Sequence, residues 1–287
     1  VVHPADIAIR RGDFAFADSV LGEAKRRRDQ LLQFRARWFS ASSLRAQGRM
    51  REAMVEADWM RRAPPGLGEP VPVNAFPRAL VLLESGRASE AAALFDSLAA
   101  YPHQPLSPAL TARGRAWTLT HSATARAVAG DTSSLAAIVD TLEALAQRSR
   151  FARDRYLPHY VRGLLLAARG RPAEAAEEYR RASYSQTSGY ARVNFHLAQV
   201  LLALKRPREA IAVLEPPCRG PVEVGGMYVT KTELHALLAR AFEAAGQPDS
   251  AAAHYRWVLN AWKNADPIFH ARRDSVRARM EALTGRR

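Results

Sequence analysis

The chain has one cysteine, Cys218, and four lysines against 38 arginines; no stretch of it approaches eighteen consecutive apolar residues. A single cysteine excludes an intrachain disulfide and any cysteine-based metal cage. Without a long apolar run there is no candidate transmembrane helix. A phosphate loop, a dinucleotide-binding glycine fingerprint, a nucleophile elbow and an HExxH motif are also missing, so no enzyme class is indicated and no cofactor or metal is expected. Cys218 lies in Pro216-Pro217-Cys218-Arg219-Gly220. This reads first as an ordinary loop cysteine and second as a thiol activated by the neighbouring cation. The first residue is Val1, with no initiator methionine and no charged-then-apolar leader; this reads as a processed product or a fragment of a longer chain, and names no compartment.

What is abundant is positive charge. The formal net charge is +14 over 287 residues and the pI is near 10.7. The richness in arginine and alanine points to a GC-rich bacterial coding sequence, but codon bias does not require acids to be scarce. An excess of this size favours acidic partners such as nucleic acid, anionic polysaccharide or acidic protein. Two clusters stand out as candidate anion-binding sites: Lys25, Arg26, Arg27 and Arg28, then Arg148, Arg150, Arg153 and Arg155. Shorter ones lie at Arg35 and Arg37, Arg61 and Arg62, Arg180 and Arg181, and Arg272 and Arg273. Tyr156, Tyr160 and Tyr184 are available to stack on bases or sugar rings. The competing explanation is that solvated helix ends collect arginine.

The organising pattern is a repeat. Gly12, Gly48, Gly86, Gly130, Gly170, Lys205 and Gly246 recur at separations of 35 to 44 residues. Five residues after each stands Ala17, Ala53, Ala91, Leu135, Ala175, Ala210 or Ala251. Four residues further on come Leu21, Ala57, Phe95, Val139, Tyr179, Leu214 and Tyr255. Each unit reads as helix, tight turn, helix. Glycine suits a left-handed helix end, the small residue lets two helices approach, and the bulky residue fills the groove to the next hairpin. Such hairpins are stable only when stacked, so the expectation is one all-α solenoid over 1–287 with about seven hairpins and a terminal capping helix at 266–284. A proline-rich stretch at 63–77 is expected to be a hinge, and 101–108 and 215–229 to be irregular loops. The first hairpin is short, and its open end is a candidate for homo-oligomer or filament assembly.

In hairpins five to seven, Gly163, Ala175, Tyr179 and Ala182, then Ala198 with Ala210, then Ala239 with Ala251 and Tyr255, resemble the small, small, aromatic, small pattern of the tetratricopeptide repeat family. The stretches VRGLLLAARGRPAEAAEEYRRA and MYVTKTELHALLARAFEAAGQPDSAAAHYRWV are also similar to repeat regions attached to bacterial serine/threonine kinases and transcriptional activators. The resemblance implies a right-handed superhelix whose concave face binds proteins or peptides. It places Leu157, Tyr160 and Leu164, then Arg192, Phe195 and Gln199, then Arg240 on that face. The Lys and Asn pattern of the subtype that grips a C-terminal carboxylate is absent.

Two further motifs are weaker. Asp266, His270 and Asp274 share a helix face as a metal half-site, but adjacent Arg272 and Arg273 make it a poor one. Arg11-Gly12-Asp13 spells an adhesion tripeptide, yet it occupies the repeat turn, where Gly and Asp already have structural reasons. The leading expectation is a non-enzymatic scaffold for protein–protein interaction, a module of a larger bacterial signalling protein. The alternative is a basic repeat protein that self-assembles or coats an acidic polymer.

Overall fold

The computed structural model describes residues 3–63, 71–101, 107–183, 191–220 and 228–285. Among these the architecture is an all-α solenoid of helix hairpins without strands. The hairpins pair α1 (His3–Arg11) with α2 (Phe14–Arg26), α3 (Gln30–Ala46) with α4 (Met50–Arg62), α5 (Val71–Glu84) with α6 (Ala88–Ala100), and α7 (Pro108–Ala129) with α8 (Leu135–Arg148). They continue with α9 (Leu157–Ala168) and α10 (Pro172–Ala182), α11 (Ala191–Ala203) and α12 (Pro207–Arg219), and α13 (Lys231–Ala244) and α14 (Pro248–Ala261), followed by α15 (His270–Thr284). The chain divides into two compact units. One is Val1–Glu69 with Ser185–Arg287, the other Pro70–Tyr184.

The repeat positions have one geometry. All six turn glycines take φ between 70° and 80°, and Lys205, the residue that breaks the glycine series, takes φ 58°. A side chain in that conformation costs about 1–2 kcal/mol, so Lys205 is held there by the turn rather than by its own preference. The closing hydrogen bonds repeat as well: Gly170 N–H donates to the Ala167 carbonyl and Arg171 N–H to Leu166, with the same pair of bonds at Gly12, Gly48, Gly86, Gly130, Lys205 and Gly246. The residues five positions on, from Ala17 to Ala251, are all 0% exposed, and the bulky residues four further on are buried too. Each fully buried large side chain contributes about 1.5–3 kcal/mol, which is what a single hairpin forgoes and stacking recovers.

A second regularity accounts for part of the arginine excess. Arg49, Arg87, Arg171 and Arg206 each follow a turn residue and grip a glutamate three residues on: Glu52, Glu90, Glu174 and Glu209. Each of those second helices lacks a side-chain cap at its first turn. The glutamate puts negative charge at the positive end of the helix dipole, and the arginine fixes it there.

In the unit formed by the two ends of the chain, the first hairpin is not an open end. Phe14 meets Trp257 of α14 edge to face at 5.7 Å, and Asn260 donates to the Gly12 carbonyl at 2.9 Å. The second hairpin is held by the tail and by α13: Asp266 N–H donates to the Gly48 carbonyl at 3.0 Å, Arg51 pairs with Asp266 at 3.0 Å, and Thr232 of α13 donates to the Ala46 carbonyl. At Gly48 the approach is so close that a Cβ would lie 2.8 Å from that of Ala265. The end expected to be left open for end-to-end assembly is therefore contacted from within the chain, although Phe16 stays 51% exposed. Asp266 is committed to Arg51, and Asp274 to Arg277 and Arg273, so the metal half-site does not form.

Other boundaries shift. Residues 64–70, 102–106 and 221–227, which carry most of the expected hinge and loops, and Tyr184 lie outside the described residues. The flanks differ from expectation. Val71 already opens α5, with Pro77 inside it, and α12 runs on through Pro216 and Pro217 to Arg219. Lys231, 1% exposed, supports that proline-interrupted helix end by donating to the carbonyls of Pro217 at 2.6 Å, Cys218 at 3.1 Å and Gly220 at 2.5 Å. Burial pushes its ammonium down to about 8, which still leaves it charged at neutral pH. Asp131 and Thr132 do not cap α8 with their side chains; Asp131 accepts from Arg126 and Ser133 instead. Thr230 caps α13, but Glu233 reaches toward α15 rather than back to the cap.

Candidate functional site

The unit containing both chain ends carries a cleft of about 600 Å³ between α11, α13 and α15. Three helices line it because the repeat continues past the seventh hairpin. Gln199, Arg240 and Arg279 recur at spacings of 41 and 39 residues, as do Phe195, Ala236 and Ser275. α15 thus occupies the place of the first helix of a further hairpin. Its ion pairs agree with that: Arg272 reaches Glu233 at 2.7 Å and Arg279 reaches Glu243 at 3.1 Å, in the same order along both helices. The floor is Tyr255 and Trp262, each 1% exposed. The Tyr255 hydroxyl donates to Glu243 at 2.6 Å; burial first, and then this carboxylate, push the phenol up. The Arg272 guanidinium lies 4.9 Å over the Trp262 ring.

The cleft wall is charged but not balanced. Glu233 and Glu243 neutralise Arg272 and Arg279, while Arg240 is exposed and has no acid partner among the described residues. Phe195 is half-buried beside it and supplies apolar surface. Gln199 is exposed, with its carbonyl oxygen 3.0 Å from His196 Nδ1. Burial holds His196 down to about 4, so it is neutral at physiological pH. The arrangement offers one unneutralised cation, amide hydrogen bonding and an aromatic face. Among the described residues nothing is grouped to hold a metal.

Three of the seven residues assigned to the concave face, Phe195, Gln199 and Arg240, meet in this cleft. The other four do not. Leu157, Tyr160 and Leu164 are 5%, 1% and 4% exposed, because α9 packs against α7, α8 and α10 and this face is spent in that contact; the Tyr160 hydroxyl is 2.8 Å from Thr124 Oγ of α7. Arg192, 6% exposed, lies over the Tyr228 ring at 5.9 Å. The groove residues named from the sequence did not include Arg272 and Arg279, which also line the cleft. Their 39-residue spacing from Glu233 and Arg240 was the available signal.

The anion-binding candidates separate as well. Lys25 binds Glu56 at 2.6 Å, and Glu56 also takes Arg37 at 2.7 Å, so this charge ties α2 to α3 and α4. Arg27 pairs with Glu23, while Arg26 and Arg28 remain exposed. Arg180 and Arg181 pair with Glu177 and Glu178. Cys218 is buried, and burial pushes its thiol up to about 12, the opposite of an activated cysteine. At Arg11-Gly12-Asp13, Asp13 caps α2 by accepting from Phe16 N–H at 3.1 Å.

Solved structures similar to the chain include three repeat proteins. A tetratricopeptide repeat protein from Parabacteroides merdae matches over 99% of this chain and 97% of its own, at 13% identity and a TM-score of 0.48. TPR-like repeats from Podosopora anserina match over 65% and 92%, at 18% identity and a TM-score of 0.39. The TPR domain of P58(IPK) matches over 98% and 86%, at 14% identity and a TM-score of 0.33. No curated protein matches. The family model for the tetratricopeptide repeat matches residues 166–216, from the end of α9 into α12. The hairpin geometry of those matched residues is the one repeated at each of the seven turns of the chain.

Proposed function

We propose that the chain is a non-enzymatic scaffold, one repeat array, that binds a segment of another protein in the cleft between α11, α13 and α15, as a module of a larger bacterial signalling protein. Tetratricopeptide repeats are protein- and peptide-binding scaffolds. The observation that carries the choice of site is Arg240: it is exposed beside Phe195 and Gln199 while the neighbouring arginines are neutralised. A segment presenting a carboxylate to Arg240 and an apolar side chain to Phe195 satisfies both. The signalling context rests on the likeness of the C-terminal stretches to repeats carried by such proteins.

The experiment is a selection of displayed random peptides on the purified chain, followed by affinity measurements with the selected sequences. Acidic peptides with an apolar neighbour should emerge. Arg240→Glu and Phe195→Ala should each weaken them at least tenfold while leaving the circular dichroism spectrum unchanged. Peptides that bind both variants as well as the parent would place the site elsewhere.

A further inference from the structure

Several basic clusters of this chain are drawn partly into ion pairs, while the one at 148–155 has none among the described residues. Arg148, Arg150 and Arg155 are exposed and have no acidic partner among the described residues, and Arg153, also exposed, lies 5.7 Å over the Trp117 ring. The acids nearby are used elsewhere: Glu143 pairs with Arg162, and Asp154 is turned inward, 0% exposed. Asp154 accepts from Trp117 Nε1 at 3.1 Å and from Ser149 Oγ at 2.6 Å, and burial pushes its carboxyl up. These bonds anchor the short 3-10 turn Ala152–Tyr156, so that the arginines on either side of Asp154 face solvent from a fixed support. The Ser149 hydroxyl also accepts from Phe151 N–H at 3.2 Å, which fixes the approach to the turn.

The same turn presents aromatic surface. Phe151 and Tyr156 are 38% and 37% exposed, among the exposed large hydrophobic side chains of the described residues. Arg113 lies over the Phe151 ring at 3.9 Å, which fixes the ring. Cations at close spacing interleaved with rings suit a flexible anionic strand whose bases are free to stack. A duplex buries its base faces, and a sulfated polysaccharide has no aromatic face to offer.

We propose that Arg148, Arg150, Phe151, Arg153, Arg155 and Tyr156 form a binding site for single-stranded nucleic acid. The phosphates lie against the arginines and a base stacks on Phe151. The site is separate from the peptide cleft and does not depend on it.

The test is fluorescence anisotropy of a labelled oligothymidylate with the full chain over a series of salt concentrations. Each arginine engaged contributes a slope of about −0.7 in log K against log salt, so three to four should give about −2 to −3. Arg148→Ala with Arg150→Ala and Arg155→Ala should flatten the slope by about two and cut affinity at least tenfold at low salt. Phe151→Ala should weaken binding by about fivefold or more with the slope unchanged, since one lost stack is worth at least about 1 kcal/mol. Arg26→Ala with Arg28→Ala, which removes exposed arginines elsewhere, should change little. Absence of binding overturns the proposal. So does equal loss from the Arg26 and Arg28 pair, or heparin and duplex DNA binding as tightly as the single strand with no effect of Phe151→Ala.

Discussion

Gly163→Ala sets two physical effects against each other. Gly163 lies inside α9, where alanine has the higher helix propensity and should stabilise by about 1 kcal/mol. Its environment opposes this. A Cβ at 163 would stand 2.5, 2.6 and 2.9 Å from the Cε1, Cδ1 and Cζ atoms of Tyr179. That ring is 1% exposed, and the Tyr160 ring sits 6.1 Å from it, so it cannot swing aside without disturbing the hairpin. Overpacking of this kind costs about 1–3 kcal/mol, so the net expectation is a loss of up to about 2 kcal/mol. Amide hydrogen exchange of α9 and α10 is the assay suited to a repeat array, because it reads each hairpin separately. Exchange there should speed up about tenfold at 1.4 kcal/mol of net loss. Combining Gly163→Ala with Tyr179→Leu should cost less than the sum of the two single changes, with a coupling above about 1 kcal/mol. Gly22→Ala is the internal control: its Cβ meets only the end of the flexible Arg26 side chain at 3.7 Å, so propensity alone should act and α2 should gain stability. If Gly163→Ala stabilises α9 as Gly22→Ala stabilises α2, the small-against-aromatic packing of the repeat is not what holds this hairpin.

Two further outcomes follow from buried titratable groups. His235 and His254 bridge α13 and α14 through their Nδ1 atoms, 2.7 Å apart, and His235 stacks on Trp257 at 4.1 Å. Burial first, then His254 and Lys231, hold His235 down to about 3, below its ordinary 6.5. The folded state therefore favours the neutral ring, so its stabilisation is complete above about pH 6.5 and declines as pH falls toward 3. Urea midpoints between those pH values should fall more steeply for the parent than for His235→Asn, and equal slopes would refute the assignment. Cys218, with its thiol pushed up to about 12, should react with an aromatic disulfide at pH 8 only in urea. Immediate stoichiometric labelling of the folded chain would contradict its burial.

The turn glycines, the alanines five residues later and the bulky residues beyond them were legible in the sequence because hairpin packing is local and periodic. The same spacing places Lys205 in the left-handed conformation of the glycines it replaces. Helix ends were less legible where prolines occur. Pro77, Pro216 and Pro217 read as breakers, yet they sit inside helices, and for α12 the reason is Lys231, which reaches back across eleven to fourteen residues to hold the helix end. Of the candidate groove residues, Phe195, Gln199 and Arg240 line one cleft, while Leu157, Tyr160 and Leu164 are buried between helices, since the pattern shows which residues are apolar but not which neighbour covers them.

By itself the sequence determined the fold class, the repeat and the excess of positive charge, all of which depend on residue type and spacing along a helix. The tertiary structure alone decided which arginines are neutralised and which stand free. An ion pair such as Lys25 with Glu56 or Arg279 with Glu243 joins residues 31 and 36 positions apart, and only the stacking of hairpins brings them together. The same stacking seats the first two hairpins against α14 and the tail, more than two hundred residues away in the chain. That contact seats the turn of the first hairpin on α14, where its sequence looked open.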